Sequence, residues 1–564
     1  MNPEHQEKIS QTQKNLFYLS IGVILIALIF MARFAQLSLF KTVNQVDLAT
    51  YHQARPERSS IIEAKRGSLF DRQGQPIAMD TTSYSLFAVL GGEWSEGNVV
   101  QDKDQTARVL AKYLEMDQEA IYSLLNQTGV DQVEFGPAGQ NLSPRTKEAI
   151  EAEHLAGIHF NSKTSRTYIN DYFASHLIGY VKDLPRDLLN QPHFIGEMGI
   201  EAAFDPLLSG QSDGEEPAIG QDLYLTLDTR LQNSLEDSLD QVYARYQPKS
   251  TAAYLVEAKT GRLLAAGQRP TFNLNSRQGI EDLWQNLLVE TAYEPGSTIK
   301  VLTMAAAYDH HVFYPGETFM SGKVEVYDQT VREYNRFGWG EISFEEGFAR
   351  SSNVGMVELV NRMGNQTWAQ QLEQLGFGQT TASLLPNESA GTMDFSNPVS
   401  RTMSGFGQAI SATPLQLMQT FTSVANDGMM KKIQYIDHVG QEENDRYQVQ
   451  DLGQMFTPEA CRAVRQLMVD SVNKPYGTAT PFKSDETQVA AKTGTAEIAN
   501  PDGPGYLQGE KNFLYSVVSY FPAEDPEYLL YIFVKQPQQL NGKIGTQIVA
   551  EVFHPIVKSV MINQ

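Results

Sequence analysis

The feature that most constrains this chain is a long apolar run close to its N-terminus. Residues 16–32 read LFYLSIGVILIALIFMA, in which only Ser20 and Gly22 interrupt the apolar character. The residues between Lys14 and Arg33 would span about 27 Å as an α-helix, close to the thickness of a bilayer's hydrocarbon core. The run has no polar face, is longer than the apolar part of a signal peptide, and is not followed by a small-residue cleavage site. We therefore predict an uncleaved transmembrane helix over residues 15–34, with the rest of the chain together on one side.

Composition excludes several classes of protein. The 564 residues carry 44 basic and 67 acidic side chains, a net charge of −23, which disfavours binding to nucleic acid. The single cysteine, Cys461, can form neither an internal disulfide nor a cysteine-cluster zinc site, and we interpret it as an ordinary helix residue. His310 and His311 would project about 100° apart on a helix and form no metal-ligand pattern. We expect neither a metal nor another cofactor.

Beyond the apolar run, the chain is predicted to form two folded regions without internal repeats. Residues 35–235 form a mixed region, within which the polar stretch 210–217 is typical of a loop. Residues 236–564 have the pattern of one catalytic domain in which hairpins alternate with helices. We predict an α+β fold with an antiparallel sheet flanked by helices. The individual predictions are strands at 84–90 and 222–227, helices at 105–115, at 118–126 and from Asp228, hairpins over 252–266 and 516–534, and a final helix at 544–561.

The first motif that carries chemistry is Ser-x-x-Lys at Ser297 and Lys300, directly after a Pro-Gly pair. Proline and glycine mark the break before a helix, and residues 301–308 are apolar almost all round, so this helix should be buried. Residues three apart share a helix face, which should place the Ser297 hydroxyl beside the Lys300 amine. A serine becomes nucleophilic when a neighbour takes its proton, and a lysine can do so when burial lowers its pKa. The pattern also arises by chance in a chain of this length, so it is not specific alone.

The second motif is Ser-x-Asn at Ser351 and Asn353, just before a predicted helix at 354–363. A hydroxyl at Ser351 could relay protons toward a leaving group, and the Asn353 amide could hold a substrate carbonyl or the lysine. The alternative interpretation is an ordinary helix cap, a position at which serine and asparagine are preferred.

The third motif is Lys492-Thr493-Gly494-Thr495, after the strand-like residues 488–491. A strand can lay its backbone along a peptide substrate, and a glycine removes a side chain where another backbone must approach. The hydroxyls and the lysine suit a terminal carboxylate. Residues 259–261 repeat the Lys-Thr-Gly triplet where a solvated hairpin turn explains it, so the triplet alone proves little. The order of the three motifs, each in a suitable context, carries the prediction.

In this order, the three motifs resemble the signature of the penicillin-recognising serine acyltransferases. Further segments resemble boxes of the class B penicillin-binding proteins, and the overall pattern is most similar to the division-specific type of Gram-positive bacteria, penicillin-binding protein 2x. The likeness covers nearly the whole chain. The further segments lie at 66–72, 74–78, 166–168, 176–181, 199–201, 208–210, 405–408 and 425–428.

The resemblance implies a single-pass protein of the cell membrane with its catalytic domain outside. Its function would be that of a peptidoglycan D,D-transpeptidase, which cross-links stem peptides during septal wall synthesis and is acylated by β-lactams. Its partners would be D-Ala-D-Ala donor stems, amine acceptor stems, a SEDS-family glycan polymerase and other membrane proteins of the divisome. The implied domains are a cytoplasmic tail over 1–14, the transmembrane helix over 15–34, a pedestal or dimerisation domain over 35–235 and a transpeptidase domain over 236–564.

The resemblance also implies a role for each matching site residue. Ser297 would attack the donor's D-Ala-D-Ala carbonyl with Lys300 as general base, and the backbone N–H groups of Ser297 and Thr495 would form an oxyanion hole. Proton transfer through the second and third motifs would expel the terminal D-Ala, and an acceptor amine would resolve the ester. The implied catalytic residues are Ser297, Lys300, Ser351, Asn353 and Lys492, and the implied substrate-binding residues are Thr493, Gly494, Thr495 and Gln408.

Two features depart from the 2x pattern. That type carries two small C-terminal PASTA domains, and the short stretch after Lys492 leads us not to expect them here. Glu497 stands two residues after Thr495, where the pattern has a neutral glutamine. We expect the Glu497 carboxylate to lower the affinity for anionic β-lactams through like-charge repulsion. The alternative is a strand residue that points to solvent.

Other functions remain open on the sequence alone. A D,D-carboxypeptidase would use the same motifs with water as the acceptor. A β-lactam sensor, or a divisome scaffold with a weak catalytic site, would keep the fold without the turnover. A β-lactamase needs a carboxylate that activates a deacylating water, and no loop suggests one. Glycosyltransferase activity is not suggested, because the region before Ser297 resembles a non-catalytic pedestal.

Overall fold

The computed structural model describes most of the chain from residue 65 onward. The chain divides into two compact units, Met1–Glu63 and Ala64–Gln564. In the first unit, Thr42–Val43 pairs antiparallel with Val46–Asp47. Described are residues 65–562 apart from 93–94, 96, 184–193, 211–219, 395, 441–446, 501–502 and 504, together with 28, 30–31, 42–43 and 46–47.

The predicted transmembrane helix falls in the first unit. Of its residues 15–34 only 28, 30 and 31 are described, and all three are helical. The rest of this span and the predicted tail over 1–14 lie outside the described residues. Among the helices built from described residues, none combines the length and the apolar character that a membrane crossing requires.

A six-stranded mixed sheet organises the N-terminal part of the second unit. Its two longest strands pair antiparallel, with Ala78 opposite Tyr168. The last strand comes from far along the chain and pairs antiparallel with Leu223–Leu225, so the sheet joins the two regions that the sequence separates. The strands are Leu69–Phe70, Pro76–Val89, Gln132–Glu134, Ile158–Tyr168, Leu223–Leu225 and Ile436–Val439.

Short helices surround this sheet, and polar side chains cap two of them. Asp102 and Ser143 each accept a backbone N–H of the helix that follows them, which satisfies donors left free at a helix start. The strands Val181–Asp183 and Phe194–Gly196 form a separate pair. The helices of this part are Lys103–Leu110, Gln118–Leu125, Pro144–Glu151, Ser175–Ile178, Gly199–Ala203 and Asp205–Ser209, with a 3-10 turn at Gly136–Gly139.

A buried ion-pair network ties these elements together. Glu201 accepts from Arg66 Nε at 2.7 Å and from Arg166 Nε at 2.8 Å, and its side chain is fully buried. Arg66 also pairs with Asp205 at 2.6 Å, and Arg166 pairs with Asp80 at 3.1 Å. Buried charges are tolerated only when they are paired, so the network fixes the helices against the long strands.

A five-stranded antiparallel sheet forms the centre of the C-terminal part. Successive residues of the strand Pro248–Glu257 alternate between two cores: Ala253 and Leu255 pack into one, and Tyr254 and Val256 into the other. This is the period of two expected of a strand that is buried on both faces. The strand order is Arg262–Arg269, Pro248–Glu257, Tyr528–Pro537, Phe513–Phe521 and Ala490–Glu497.

Helices cover both faces of this sheet. Thr229–Tyr246 and Gly545–Ile562 pack on one face, and the buried helix Lys300–Asp309 lies in the core of the other. The remaining helices are Phe344–Ala349, Asn353–Met363, Asn365–Gln374, Pro398–Ser404, Pro414–Ala425 and Pro458–Asn473, with 3-10 turns at Gly296–Ile299 and Thr480–Phe482. Short strand pairs join Thr318–Met320 to Glu341–Ser343, Lys323–Val326 to Gln329–Arg332, Thr392–Met393 to Ile410–Ser411 and Met429–Lys431 to Asp451–Gln454.

The predicted α+β class is confirmed, with an antiparallel sheet between helices. Both predicted hairpins form, the final helix is present, and Asp228 caps the helix that follows it. Cys461 is buried in a helix, as interpreted. The helix predicted at 105–115 spans Lys103–Leu110 instead, and the N–H groups of Lys112 and Tyr113 beyond its end bond three residues back rather than four. The strand predicted at 84–90 is the end of a strand that begins at residue 76.

Candidate active site

The Ser-x-x-Lys motif lies where a 3-10 turn runs into a buried helix. The turn Gly296–Ile299 leaves Ser297 partly exposed, and the helix that begins at Lys300 is buried over residues 300–307. Gly296 has a φ of +56°, and a Cβ there would lie 3.1 Å from the Thr495 carbonyl oxygen. The glycine therefore provides both the left-handed conformation and the close approach to the strand of the third motif.

Lys300 is fully buried and reaches the Ser-x-Asn motif. Its Nζ donates to the Ser351 carbonyl oxygen and to Asn353 Oδ1, each at 2.7 Å, and to Ser351 Oγ at 3.3 Å. Burial lowers the pKa of this amine to about 7, although the negative charge of Glu333 opposes the shift. Much of Lys300 is therefore neutral near pH 7, the state that a general base needs. Ser297 lies on the same continuous turn, and its hydroxyl is not among the Lys300 partners within the described structure.

Ser351 lies between two lysines in a strained backbone conformation. Its φ is +62°, which is uncommon for any residue other than glycine, and its side chain is buried. Its Oγ accepts from Lys300 and, at 2.9 Å, from Lys492. Such a conformation persists only where the surroundings impose it, and it concentrates at functional sites. The hydroxyl is therefore placed to pass a proton between the two amines.

Lys492 is also fully buried, on the edge strand of the central sheet. Its Nζ donates to Ser351 Oγ and to the Thr493 carbonyl oxygen at 3.0 Å, and it lies 5.8 Å from the centre of the Phe348 ring. Burial, together with the like charge of Lys300, lowers the pKa of Lys492 well below its usual range. Two buried amines that share one hydroxyl form a coupled pair, which we expect to hold fewer than two protons near neutral pH.

The other residues of the third motif lie on the same strand. Thr493 Oγ1 donates to Thr478 Oγ1 at 2.9 Å, and Thr495 is exposed. A Cβ on Gly494 would lie 3.0 Å from Thr298 Cγ2 and 2.3 Å from a hydroxyl oxygen of the neighbouring strand. The strand can therefore pack this closely against the Ser297 turn only with glycine at this position.

Glu497, the last residue of this strand, contacts Gln408. Gln408 Nε2 donates to Glu497 Oε2 at 2.8 Å, so Glu497 is held by a partner instead of pointing only to solvent. A second carboxylate, Glu294, accepts from the Ala409 backbone N–H at 2.9 Å. Burial raises the pKa of Glu294, and the charge of Glu497 adds to this shift. Two acidic side chains thus lie close to the strand that carries the third motif.

Two contributors to the site escape the sequence motifs. Glu333 is buried and bonds the first residues of the helix Asn353–Met363, and Thr478 holds the Thr493 hydroxyl. Each belongs to a segment without a recognisable local pattern, and each reaches the site only through the fold. As for metals, no group of three or more potential metal-ligating side chains occurs among the residues that the structure describes.

Fold and site together define a serine-type acyltransferase, because a partly exposed serine lies on the turn before a buried helix, and burial lowers the pKa of that helix's first residue, Lys300, to about 7. The family model for the penicillin-binding protein transpeptidase domain matches residues 251–558, and the model for the penicillin-binding protein dimerisation domain matches residues 61–220. The chain belongs to the penicillin-binding protein transpeptidase family and is a class B penicillin-binding protein, as the sequence resemblance implied.

Three similar proteins match over 80% or more of their own length. The chain is 27% identical to stage V sporulation protein D of Bacillus subtilis, over 96% of this chain and 85% of that protein. It is 23% identical to peptidoglycan D,D-transpeptidase FtsI of Escherichia coli, over 99% and 93%. The crystal structure of penicillin-binding protein 2X from Streptococcus thermophilus aligns with a TM-score of 0.72 at 29% identity, covering 89% of this chain and 80% of that one. The predicted likeness to the 2x type is confirmed.

Proposed function

We propose that this protein is a peptidoglycan D,D-transpeptidase that works through an acyl-enzyme on Ser297. The observation that carries the proposal is the buried Lys300 amine, with a pKa near 7, on the same turn as the partly exposed serine. Family membership and the name of the relative from Escherichia coli support the substrate class.

In the acylation step, Ser297 Oγ attacks the carbonyl carbon of the penultimate D-Ala of a donor stem. The serine proton passes to neutral Lys300 as the C–O bond forms, and negative charge develops on the carbonyl oxygen. The proposed donors to this oxygen are the backbone N–H groups of Ser297 and Thr495. The closeness of these two segments is supported by Gly296, where an added Cβ would lie 3.1 Å from the Thr495 carbonyl oxygen.

In the next step the C–N bond breaks and the terminal D-Ala leaves as an amine. Its nitrogen takes up the proton that Lys300 received, by way of Ser351 Oγ and Lys492. The hydrogen bonds of both amines to this hydroxyl support the route. An acceptor amine then attacks the ester carbon and the C–O bond to Ser297 breaks. The proton of the amine returns to the Ser297 oxygen through the same groups, and a new peptide bond remains.

Substrate binding is proposed along the edge strand Ala490–Glu497. An extended stem peptide can add to such an edge through backbone hydrogen bonds. The Thr493 and Thr495 hydroxyls would bind the terminal carboxylate, and Gln408 would contact the peptide from the side. Gly494 would serve binding by letting this strand pack close to the Ser297 turn. The exposure of Thr495 and the edge position of this strand support the arrangement.

The proposed setting is the cell membrane, with residues 15–34 as a single-pass anchor, 1–14 as a cytoplasmic tail, 35–235 as the pedestal and 236–564 as the transpeptidase domain. The apolar run over 16–32 supports the anchor. We propose septal wall synthesis as the process, β-lactams as inhibitors, and a SEDS-family glycan polymerase with other divisome proteins as membrane partners.

The test combines labelling with turnover. Purified protein is incubated with a fluorescent penicillin and with paired stem peptides that supply a D-Ala-D-Ala donor and an amine acceptor. We expect one label per chain, absent from Ser297→Ala, and a cross-linked product that depends on the amine. The absence of label on Ser297 would overturn the proposal. Label without amine-dependent product would favour the β-lactam sensor, and hydrolysed donor alone would favour the D,D-carboxypeptidase.

A further inference from the structure

Glu333 is a buried carboxylate that binds the start of the Ser-x-Asn helix. Glu333 follows the strand Gln329–Arg332 and is 2% exposed. Its two oxygens have separate partners: Oε1 accepts from Ser352 Oγ at 2.5 Å, and Oε2 accepts from the Asn353 backbone N–H at 2.8 Å. Both oxygens therefore hold the start of the helix Asn353–Met363, which carries the Ser-x-Asn motif.

The same hairpin end also orients the Asn353 side chain. Asn353 Nδ2 donates to the Arg332 carbonyl oxygen at 3.1 Å, and Asn353 Oδ1 accepts from Lys300 at 2.7 Å. An amide has donors on one atom and acceptors on the other, so a carbonyl at Nδ2 forces Oδ1 toward the amine. Arg332 and Glu333 together hold both the backbone and the side chain of this asparagine.

The charges around Lys300 give Glu333 a second effect. Lys492 reaches the site from the edge strand and Glu333 from the hairpin, and the N-terminus of the helix Asn353–Met363 adds a partial positive charge. Of the other helices that contact the Lys300 helix, Pro414–Ala425 has no charged residue, the buried Arg465 of Pro458–Asn473 is paired with Asp427, and Glu373 of Asn365–Gln374 is exposed. The Glu333 carboxylate is therefore the negative group whose charge acts on the Lys300 amine.

We propose that Glu333 is a positioning residue for acyl transfer, which holds the Ser-x-Asn turn in place and balances the proton that Lys300 and Lys492 share. The inference rests on the proposed function, since it concerns how that site keeps its base ready. Glu333 contacts the site residues and not the substrate, so its effect passes through Asn353 and the two amines.

The proposal fixes the direction of a pH effect. The attraction of Glu333 favours protonated Lys300 and so opposes burial, which lowers the pKa of Lys300. Without this charge, burial acts unopposed, and the amine becomes neutral at lower pH. In Glu333→Gln we expect the pH of half-maximal acylation to fall by about one unit, a shift usual for loss of a nearby opposite charge. The maximal rate should fall as well, because the amine becomes a weaker base and the asparagine loses a fixed partner.

The experiment measures the second-order rate constant of acylation by a fluorescent penicillin from pH 5 to 9. The variants are Glu333→Gln, Glu333→Asp and, as a matched control, Glu388→Gln. Glu388 also accepts backbone and hydroxyl donors, from Thr381 and Ser383, but it does so outside the lysine pocket. Glu388→Gln should lose stability without a shift in the profile. Glu333→Asp keeps the charge and should restore the half-maximal pH most of the way to the wild-type value.

The outcomes distinguish an effect of the Glu333 charge from a purely structural role of this residue. A folded Glu333→Gln with the wild-type half-maximal pH overturns the inference, because a purely structural role would lower the rate without moving the profile. If Glu333→Gln does not fold, Glu333→Asp tests the inference instead. Its shorter side chain moves the carboxylate away from Lys300, so a smaller fall in the half-maximal pH supports the inference. An unchanged half-maximal pH in this variant overturns it. Failure of the wild-type protein to label at Ser297 would instead overturn the proposed function.

Discussion

Lys492 Nζ donates a 2.9 Å hydrogen bond to Ser351 Oγ, so that a hydroxyl group, and not a carboxylate, separates this amine from Lys300. A carboxylate in this position would keep both amines protonated by Coulomb attraction. A hydroxyl can instead accept from one amine and donate to the other once either has lost its proton. The arrangement suits a site in which one amine must act as a base and pass on the proton that it receives.

Removing this hydroxyl should slow acylation strongly. Ser351→Ala leaves both amines without their shared partner and interrupts the proposed proton route. We expect the acylation rate constant for a fluorescent penicillin to fall about 100-fold or more, in the range typical of lost general acid–base groups. Ser351→Gly removes the same hydroxyl but relieves the strain of a φ of +62°. It should therefore be acylated as slowly as Ser351→Ala but unfold at a higher temperature than that variant.

Ser343→Ala is the control for this prediction. Ser343 caps the neighbouring helix Phe344–Ala349 by accepting from the Glu346 backbone N–H at 3.1 Å. Loss of this cap should lower the free energy of unfolding by about 1 kcal/mol and leave the acylation rate constant unchanged. Equal slowing in Ser343→Ala and Ser351→Ala would attribute the effect to stability and not to proton transfer.

The Lys300 amine should give the folded protein a distinctive pH dependence. Burial lowers its pKa to about 7 in the folded state, whereas a lysine in an unfolded chain titrates near a pKa of about 10.4. Between these values the unfolded chain binds a proton that the folded chain has released. The contribution of this group to stability is therefore complete above the unfolded pKa and is lost as the pH falls toward about 7.

The measurement compares the wild-type protein with Lys300→Met in urea titrations from pH 6 to 10. The free energy of unfolding of the wild type, relative to that of the variant, should rise with pH between about 7 and 10 by up to about 1.4 kcal/mol per unit. Below pH 7 the difference should be nearly constant. A difference that stays constant over the whole range would mean that folding leaves the lysine's protonation unaltered.

The residues that the sequence predicts correctly are those whose pattern is local. The Pro-Gly pair before Ser297 marks the break that becomes a 3-10 turn, and the apolar residues after Lys300 form the buried helix. The hairpin at 252–266 follows from two strand-like runs on either side of a turn that contains a glycine with positive φ, Gly261. In each case a few adjacent residues contain the whole signal, because turn geometry and strand period are short-range properties.

What the sequence leaves out depends on contacts between distant segments. Glu333 and Thr478 look like ordinary loop residues until the fold brings them to Asn353 and Thr493. The strand Ile436–Val439 completes a sheet whose other strands lie more than 200 residues away, and no local pattern specifies that partner. The left-handed backbone of Ser351 is likewise imposed by its surroundings and not by its residue type.

The buried ion-pair network of the N-terminal part should be costly to break. Glu201→Gln removes the negative charge that two buried guanidinium groups share, those of Arg66 and Arg166. Loss of one partner from a buried pair costs about 3–5 kcal/mol, because it leaves charge without compensation. We expect a drop of this size in the free energy of unfolding, measured by urea titration.

The control is an exposed pair in the same part of the chain. Lys147 pairs with Glu151 at 2.6 Å on the surface of the helix Pro144–Glu151, where solvent screens the charges. Glu151→Gln should change the free energy of unfolding by less than about 1 kcal/mol. A similarly small effect of Glu201→Gln would show that the buried arginines find other compensation, for example from Asp80 and Asp205.

Glu497 should slow acylation by anionic β-lactams. The proposed mechanism places the carboxylate of substrate or inhibitor at Thr495, and Glu497 lies two residues further along the chain. Gln408 holds the Glu497 side chain by a hydrogen bond of 2.8 Å. Glu497→Gln keeps a carbonyl oxygen for this hydrogen bond and removes the repulsion. We expect acylation rate constants for a penicillin and a cephalosporin to rise a few-fold, the effect of about 1 kcal/mol or less that partly exposed charges usually have.

Two comparisons separate this local repulsion from a general effect of net charge. Glu119→Gln removes the same charge from the exposed start of the helix Gln118–Leu125 in the N-terminal part and should leave both rate constants unchanged. Raising the salt concentration should shrink the gain in Glu497→Gln, because ions screen interactions between exposed charges. Equal gains in both variants would assign the effect to net charge. Unaltered rate constants in Glu497→Gln would mean that the carboxylate of the β-lactam binds beyond the reach of Glu497, and that Gln408 holds this side chain for packing alone.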